Sequence, residues 1–339
     1  MLNNKNILLT GGTGSFGHLF VEKVVKKYKP KRLVIFSRDE VKQSLMAQKY
    51  PQKKYPFIRF FIGDVRDLDR IRLAMEGIDY VVHAAALKQI NIAEYNPMEC
   101  IKTNVGGAEN VAKAALYANV SMVIALSTDK ASDPVSLYGA SKLTADKLFI
   151  SANNIRGGVR ATKMSVVRYG NVAGSRGSIV PIFEELIKKG ATKLPITDTR
   201  MTRFWITLDE ATEFIFKAFD RMKGGEIFIP KIPSIRIVDL AKAMLPKGKI
   251  NIIGLRPGEK LSEKLFSGNE SHLTIEFKDH YVIRPSVIFQ EKKIDYYKNG
   301  KKEIGKNVKD GFEYRSDNNK DFLTIDQIKK INQKIKKHL

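Results

Sequence analysis

Gly11, Gly14 and Gly17 recur at three-residue intervals inside the string TGGTGSFG, with an apolar run before them and an amphipathic one after. Asn6 to Thr10 reads as a β-strand, while Phe16, Leu19, Phe20 and Val24 repeat with the period of a helix. Passing from strand to helix through glycines leaves a tight turn whose backbone N–H groups no side chain covers. A second β-branched run, Arg32 to Phe36, closes a βαβ unit of roughly thirty residues. Strand-like runs follow at Ile58 to Gly63, Asp79 to Val82, Met122 to Ser127 and Met164 to Arg168, with helical stretches between them. That alternation specifies an α/β fold, a doubly wound parallel sheet with ligands at the carboxyl ends of its strands.

Beyond Asn171 the alternation loosens into turn-rich pieces such as Gly174 to Ser178 and Arg256 to Lys260. We therefore expect a Rossmann-type domain over 1–171, with part of 204–235 returning to it, and a smaller substrate-binding lobe mainly over 172–290. A basic extension, 291–339, ends in a helix: Thr324 and Gln327 make a capping box, and Ile325, Ile328, Ile331 and Ile335 form one stripe that should dock. The 59 Lys plus Arg against 36 Asp plus Glu give +23, but the extension holds only 14 basic and 8 acidic residues, so no tail concentrates the charge. A lysine-biased surface and an anionic substrate explain it better than nucleic acid. No apolar run reaches the roughly 18 residues of a membrane span, and Ile7 to Leu9 is too short for a signal peptide, so we expect neither membrane nor export but a cytoplasmic protein. The single cysteine, Cys100, builds neither a disulfide nor a cysteine-type zinc site, and no metal is expected.

The chemistry-bearing residues follow the strands. The glycine turn and the helix after it suit a pyrophosphate. At the end of the second strand, a carboxylate would favour the ribose 2′-hydroxyl of NAD; Ser37 and Arg38 suit a 2′-phosphate instead, so NADP is expected, while Asp39 and Glu40 keep NAD open. Asp64 and Val65, after the third strand, would flank adenine. Thr128, Asp129 and Lys130 follow the fifth strand, and Tyr138 and Lys142 share a helix face four residues apart. A tyrosine base needs nearby positive charge to lower its pKa from about 10. Lys142 is the expected source.

This combination resembles the extended short-chain dehydrogenase/reductase superfamily. The strings SRDEVKQS, FFIGDVRDL, HAAALK, AEYNPMECIKTN, ALSTDKASDP, LYGASK, RYGNVAGSRGS, TDTRMTRFWITLDE and IGLRPGEK, in order from about Ile7 to Phe289, narrow it. They are similar to the inverting UDP-N-acetylglucosamine 4,6-dehydratases of pseudaminic acid biosynthesis. The resemblance implies oxidation at C4, elimination of water across C5 and C6, reduction at C6 and inversion at C5. In those roles Tyr138 takes the 4-hydroxyl proton and later reprotonates C5, Lys142 holds the ribose, Thr128 bonds the 4-oxygen and Asp129 protonates the leaving hydroxyl. Lys130 takes the C5 proton, which demands a neutral amine and hence a depressed pKa.

The cofactor set implied is Gly11, Gly14, Ser15, Phe16, Gly17, Ser37, Arg38, Lys42, Asp64, Val65, Ala84, Lys88, Asn104, Tyr138, Lys142 and Val172. Lys88, Asn171, Val180, Thr197, Arg203, Arg256 and Glu259 would hold UDP-N-acetylglucosamine, with the arginines on the diphosphate. His83 and Cys100 read as packing residues, and a homo-oligomer is the family's expectation. A UDP-hexose 4-epimerase would share the glycine turn and the Tyr-Lys pair but needs no Asp129 or Lys130. A capsule-pathway dehydratase and C5-epimerase differs chiefly in downstream use, and a non-catalytic NADP sensor would have no reason to keep all five catalytic residues.

Overall fold

A computed structural model describes residues 1–155, 162–289 and 294–336. The seam expected at 290–291 lies outside the described residues. The core is a ten-stranded sheet. β1 (Asn6–Thr10), β2 (Arg32–Ser37), β3 (Ile58–Ile62), β4 (Tyr80–His83), β5 (Met122–Thr128) and β6 (Lys163–Tyr169) lie in the order β3-β2-β1-β4-β5-β6, all parallel. The chain winds outward from β1 to β3, then returns to the other side of β1, so a crevice opens between the carboxyl ends of β1 and β4.

Both faces of the sheet are covered, which explains why the strands are apolar throughout rather than alternating. Leu8, Val34, Val81, Val123 and Val166 pack on one face with Ala108, Val111 and Phe149 of the helices Gly107–Tyr117 and Leu137–Ile155. Ile7, Leu9, Ile35, Val82 and Ile124 pack on the other with Phe20 and Val24 of α1 (Ser15–Lys27) and Phe216 and Phe219 of the helix Leu208–Arg221. Lys23 of α1 reaches Asp209 at 2.8 Å and Glu213 at 2.6 Å, tying those two helices together.

The second half of the chain is more interleaved than a single lobe over 172–290. Ile227–Pro230 joins β6 as a seventh parallel strand, inside the stretch read as returning to the first domain. Antiparallel strands His280–Ile283, Thr274–Glu276 and Lys306–Asn307 then extend the same sheet, so parts of the lobe and of the extension also belong to it. These strands are two to four residues long, too short for a period to show. The separate lobe has its own core of Val180, Phe183, Leu194, Ile196, Trp205, Ile235 and Leu240. The terminal helix Ile325–Lys336 docks on it: Ile328 is fully buried, and Ile331 and Ile335 pack beside it. Its cap is the one expected, with the Thr324 N–H donating to Gln327 Oε1 at 2.8 Å.

Candidate active site

The glycine turn shows why each glycine is there. Gly11 sits at φ +66°, and a Cβ on it would lie 2.8 Å from the Ala85 nitrogen. A Cβ on Gly17 would lie 2.1 Å from the Gly12 oxygen, so Gly17 lets α1 close on the turn and is not part of the cleft wall, a correction to its expected cofactor contact. No side chain caps α1 at Gly14, which leaves its first N–H groups and positive dipole end for an anion.

From this turn a cleft of about 920 Å³ runs past β5 to the second lobe. Gly11, Gly14, Ser15, Phe16, Ser37, Arg38, Lys42, Val65, Ala84, Lys88 and Val172 line it together with Thr128, Lys130, Tyr138 and Lys142. Gln43 Nε2 donates to Ser37 Oγ at 3.0 Å and fixes it. Asp39 faces its own helix, accepting from the Lys42 N–H at 2.9 Å and pairing with Lys42 Nζ at 2.6 Å. Two expected cofactor residues stand off the wall. Asp64 pairs with Arg66 at 2.7 Å and lies 3.4 Å from Arg38. Asn104 spans the Leu87 N–H, the Leu87 carbonyl and Ser141 Oγ at 2.8, 2.9 and 2.9 Å, bracing the loop that carries Ala84 and Lys88 rather than facing a ligand.

The reactive cluster forms where β5 ends. Thr128 caps a short 3₁₀ turn, Asp129–Ala131, and donates through Oγ1 to Asp129 Oδ1 at 2.9 Å. Asp129 is fully buried behind the wall, with Oδ2 lacking a partner. Burial pushes its carboxyl pKa upward, although Lys130 pulls the other way. Lys130 Nζ lies 3.0 Å from Asp129 Oδ1 and 3.2 Å from Oε1 of Glu263, which is 2% exposed. Burial alone would lower the lysine's pKa, but the two carboxylates outweigh it and hold it well above the ordinary value. The depressed Lys130 pKa expected from the sequence is therefore corrected: Asp129 first, and Glu263 from far along the chain second, outweigh the burial.

Tyr138 hydrogen-bonds Thr128, and burial pushes its pKa up to about 12. The cation that pulls it back most is Lys130, and Lys142 donates to the Leu126 carbonyl at 2.7 Å. Behind them lies a buried network that sequence reading missed: Asp146 Oδ2 accepts from Ser127 Oγ at 2.8 Å and from Arg168 Nη2 at 3.2 Å. Asp146 is one helical turn beyond Lys142 and favours its charged form against burial. His83, read as packing, is buried and shares a 2.8 Å hydrogen bond with Thr10; Cys100 is buried as well.

In the second lobe Asn171, Thr197, Arg203, Arg256 and Glu259 line the cleft. Val180 does not: it is 1% exposed inside the lobe's core. Arg203 is buried, donating to the Thr202 carbonyl at 2.7 Å, and Glu259 accepts from the Arg256 N–H at 3.1 Å, shaping its own turn. Asn171 Oδ1 and Trp205 Nε1, both on cleft-lining residues, are buried without hydrogen-bond partners among the described residues. Trp205 and Glu263 were not singled out from sequence; the clue for Glu263 was its place three residues after Lys260 in the RPGEKLSE string.

With this geometry in view, the comparisons are informative. A family model described as "Polysaccharide biosynthesis protein" matches residues 7–285. A protein of Campylobacter jejuni named UDP-N-acetylglucosamine 4,6-dehydratase (inverting) is 56% identical over 94% of this chain and 94% of its own. One from Rickettsia canadensis named UDP-glucose 4-epimerase is 42% identical over 84% of each. Among solved structures, Pen from Bacillus thuringiensis is 38% identical, covers 98% of this chain and 99% of its own, and superposes with a TM-score of 0.87. The chain belongs to the polysaccharide biosynthesis protein family and stands with the inverting UDP-N-acetylglucosamine 4,6-dehydratases.

Proposed function

We propose that the chain dehydrates UDP-N-acetylglucosamine across C5 and C6 with inversion at C5, using a resident NADP. The observation that carries this reading is the Asp129–Lys130 pair, 3.0 Å apart: Lys130 stands with Tyr138 on the wall of a cleft continuous with the glycine turn, and Asp129 is buried behind it. An epimerase has no use for that pair; an elimination needs an acid and a base together. The glycine turn, the open α1 N-terminus and the fixed Ser37 fit a dinucleotide, and Arg38 fits a 2′-phosphate, while Asp39 and Lys42 are engaged with each other. A nicotinamide bound there would supply the redox chemistry that the side chains lack.

The chain's own residues move the protons. Tyr138 accepts the 4-hydroxyl proton, helped by the Lys130 charge that counters its burial. The resulting 4-ketone acidifies the C5 proton. Transfer of the Lys130 proton to Asp129 over their 3.0 Å hydrogen bond then creates the amine that accepts from C5 and the acid that serves the leaving 6-hydroxyl. After elimination the pair is again carboxylate and ammonium, so no net charge accumulates in the buried site. Reprotonation of C5 from the Tyr138 side gives the L-arabino 4-keto sugar, which we assign by resemblance to pseudaminic acid synthesis. Cleft-facing Lys88, Asn171, Thr197 and Arg256 are our candidates for holding the nucleotide sugar.

The relative named UDP-glucose 4-epimerase favours a second reading, C4 epimerisation through Tyr138 and Lys142 alone. Mass spectrometry of UDP-N-acetylglucosamine incubated with the purified protein, without added cofactor, separates them. Loss of one water is expected; a C4 epimer of unchanged mass would overturn the dehydratase reading.

A further inference from the structure

We propose that Glu263 is a positioning residue of this reaction: from the second lobe it clamps Lys130 and keeps on the Asp129–Lys130 pair the one proton that elimination requires. The inference rests on the dehydratase reading above. Glu263 Oε1 lies 3.2 Å from Lys130 Nζ and 3.8 Å from Arg203 Nε, while Oε2 has no hydrogen-bond partner and lies 4.0 Å from Lys260 Nζ. One carboxylate thus joins the lysine after β5 to an arginine of the lobe strand Thr202–Ile206.

Its backbone is clamped as firmly as its side chain. The Glu263 N–H donates to Ser316 Oγ at 2.9 Å, and the Ser316 N–H returns to the Glu263 carbonyl at 2.9 Å. Ser316, itself fully buried, shares a further 2.8 Å hydrogen bond with Thr202 Oγ1. Ser316 follows the strand Tyr314–Arg315, which pairs with Lys264–Phe266. The C-terminal extension, remote from the glycine turn in sequence, therefore builds one wall of the catalytic cluster.

The consequence is electrostatic. Elimination requires one proton on the Asp129–Lys130 pair, free to pass from amine to carboxylate. A buried carboxylate at about 3 Å stabilises the protonated pair by an amount that corresponds to roughly 1–3 pH units. Asp129, Tyr138 and Arg203 also face Lys130, and Lys260 faces Glu263; the two cations other than Lys130 oppose the clamp, from 3.8 and 4.0 Å off the Glu263 carboxylate against 3.2 Å for Lys130. Without the Glu263 charge the pair sheds its proton at lower pH and loses its acid.

The test is a pair of titrations on the protein as purified. Carbon-13 NMR of lysine labelled at Cε, with the Lys130 signal assigned through Lys130→Arg, should show Lys130 titrating above the usual lysine value of about 10.4. In Glu263→Gln that titration, and the alkaline limb of kcat/KM for dehydration, should both move down by one pH unit or more, and Glu263→Asp should restore much of the shift. A Lys130 that titrates at or below the ordinary value in the parent protein, or an unmoved titration in Glu263→Gln, would overturn the proposal. The first of these needs no Glu263 variant to fold. A parent protein that leaves UDP-N-acetylglucosamine intact would instead sink the dehydratase reading, while the lysine titration would still decide whether Glu263 controls Lys130.

Discussion

In the proposed reaction Tyr138 and Lys130 divide the proton transfers, and their substitutions should fail differently. Tyr138→Phe removes the group that starts the cycle, so both oxidation at C4 and loss of water should drop by about 10²–10⁴-fold. Lys130→Ala should still oxidise C4 slowly, seen as reduced-cofactor absorbance on adding substrate, but should lose exchange of the C5 proton with solvent. Unimpaired exchange in that variant would remove Lys130 from its role. The Tyr138–Lys142 pair was legible because four residues on one helix fix which side chains are neighbours. The protonation of Lys130 was not, because burial and two carboxylates compete over it, and one of the two, Glu263, is brought in by another part of the chain through Ser316.

At the level of elements, the glycine turn and the terminal helix carry separate expectations. Gly11→Ala forces a side chain into a left-handed backbone and against Ala85, at a cost of about 1–3 kcal/mol, and should weaken dinucleotide retention more than it weakens the fold. Co-purified cofactor, measured by absorbance after denaturation, checks this. Ile328→Ala should destabilise by about 2–5 kcal/mol, because Ile328 is the buried anchor of the docked helix, with the loss read from denaturant unfolding. Strands β1 to β6 and the Thr324 cap were readable from apolar runs and capping chemistry. The edge strands Thr274–Glu276 and Lys306–Asn307 were not, since pieces of two or three residues have no period, and their pairing is set by the sheet they join.

For the whole molecule, acid should act first through two buried histidines. Burial pushes His83 down to about 3 and His280 to about 4, so each stays neutral in the fold while the unfolded chain takes up a proton below about 6.5. The unfolded state then binds more protons, and stability should fall as pH drops from 6.5 towards 4, by up to about 1.4 kcal/mol per pH unit for each. Thermal unfolding across that range should show a falling midpoint, with a shallower fall in His83→Gln. In the proposed reaction hydrogen moves among Tyr138, Lys130, Asp129 and the sugar, and C5 takes its new proton from a side chain that exchanges with water. Proton NMR of UDP-N-acetylglucosamine turned over in deuterated water tests that most directly. A new C6 methyl signal with deuterium at an inverted C5 is expected; a sugar changed only at C4, or a dehydrated product that keeps its C5 proton and configuration, would contradict it.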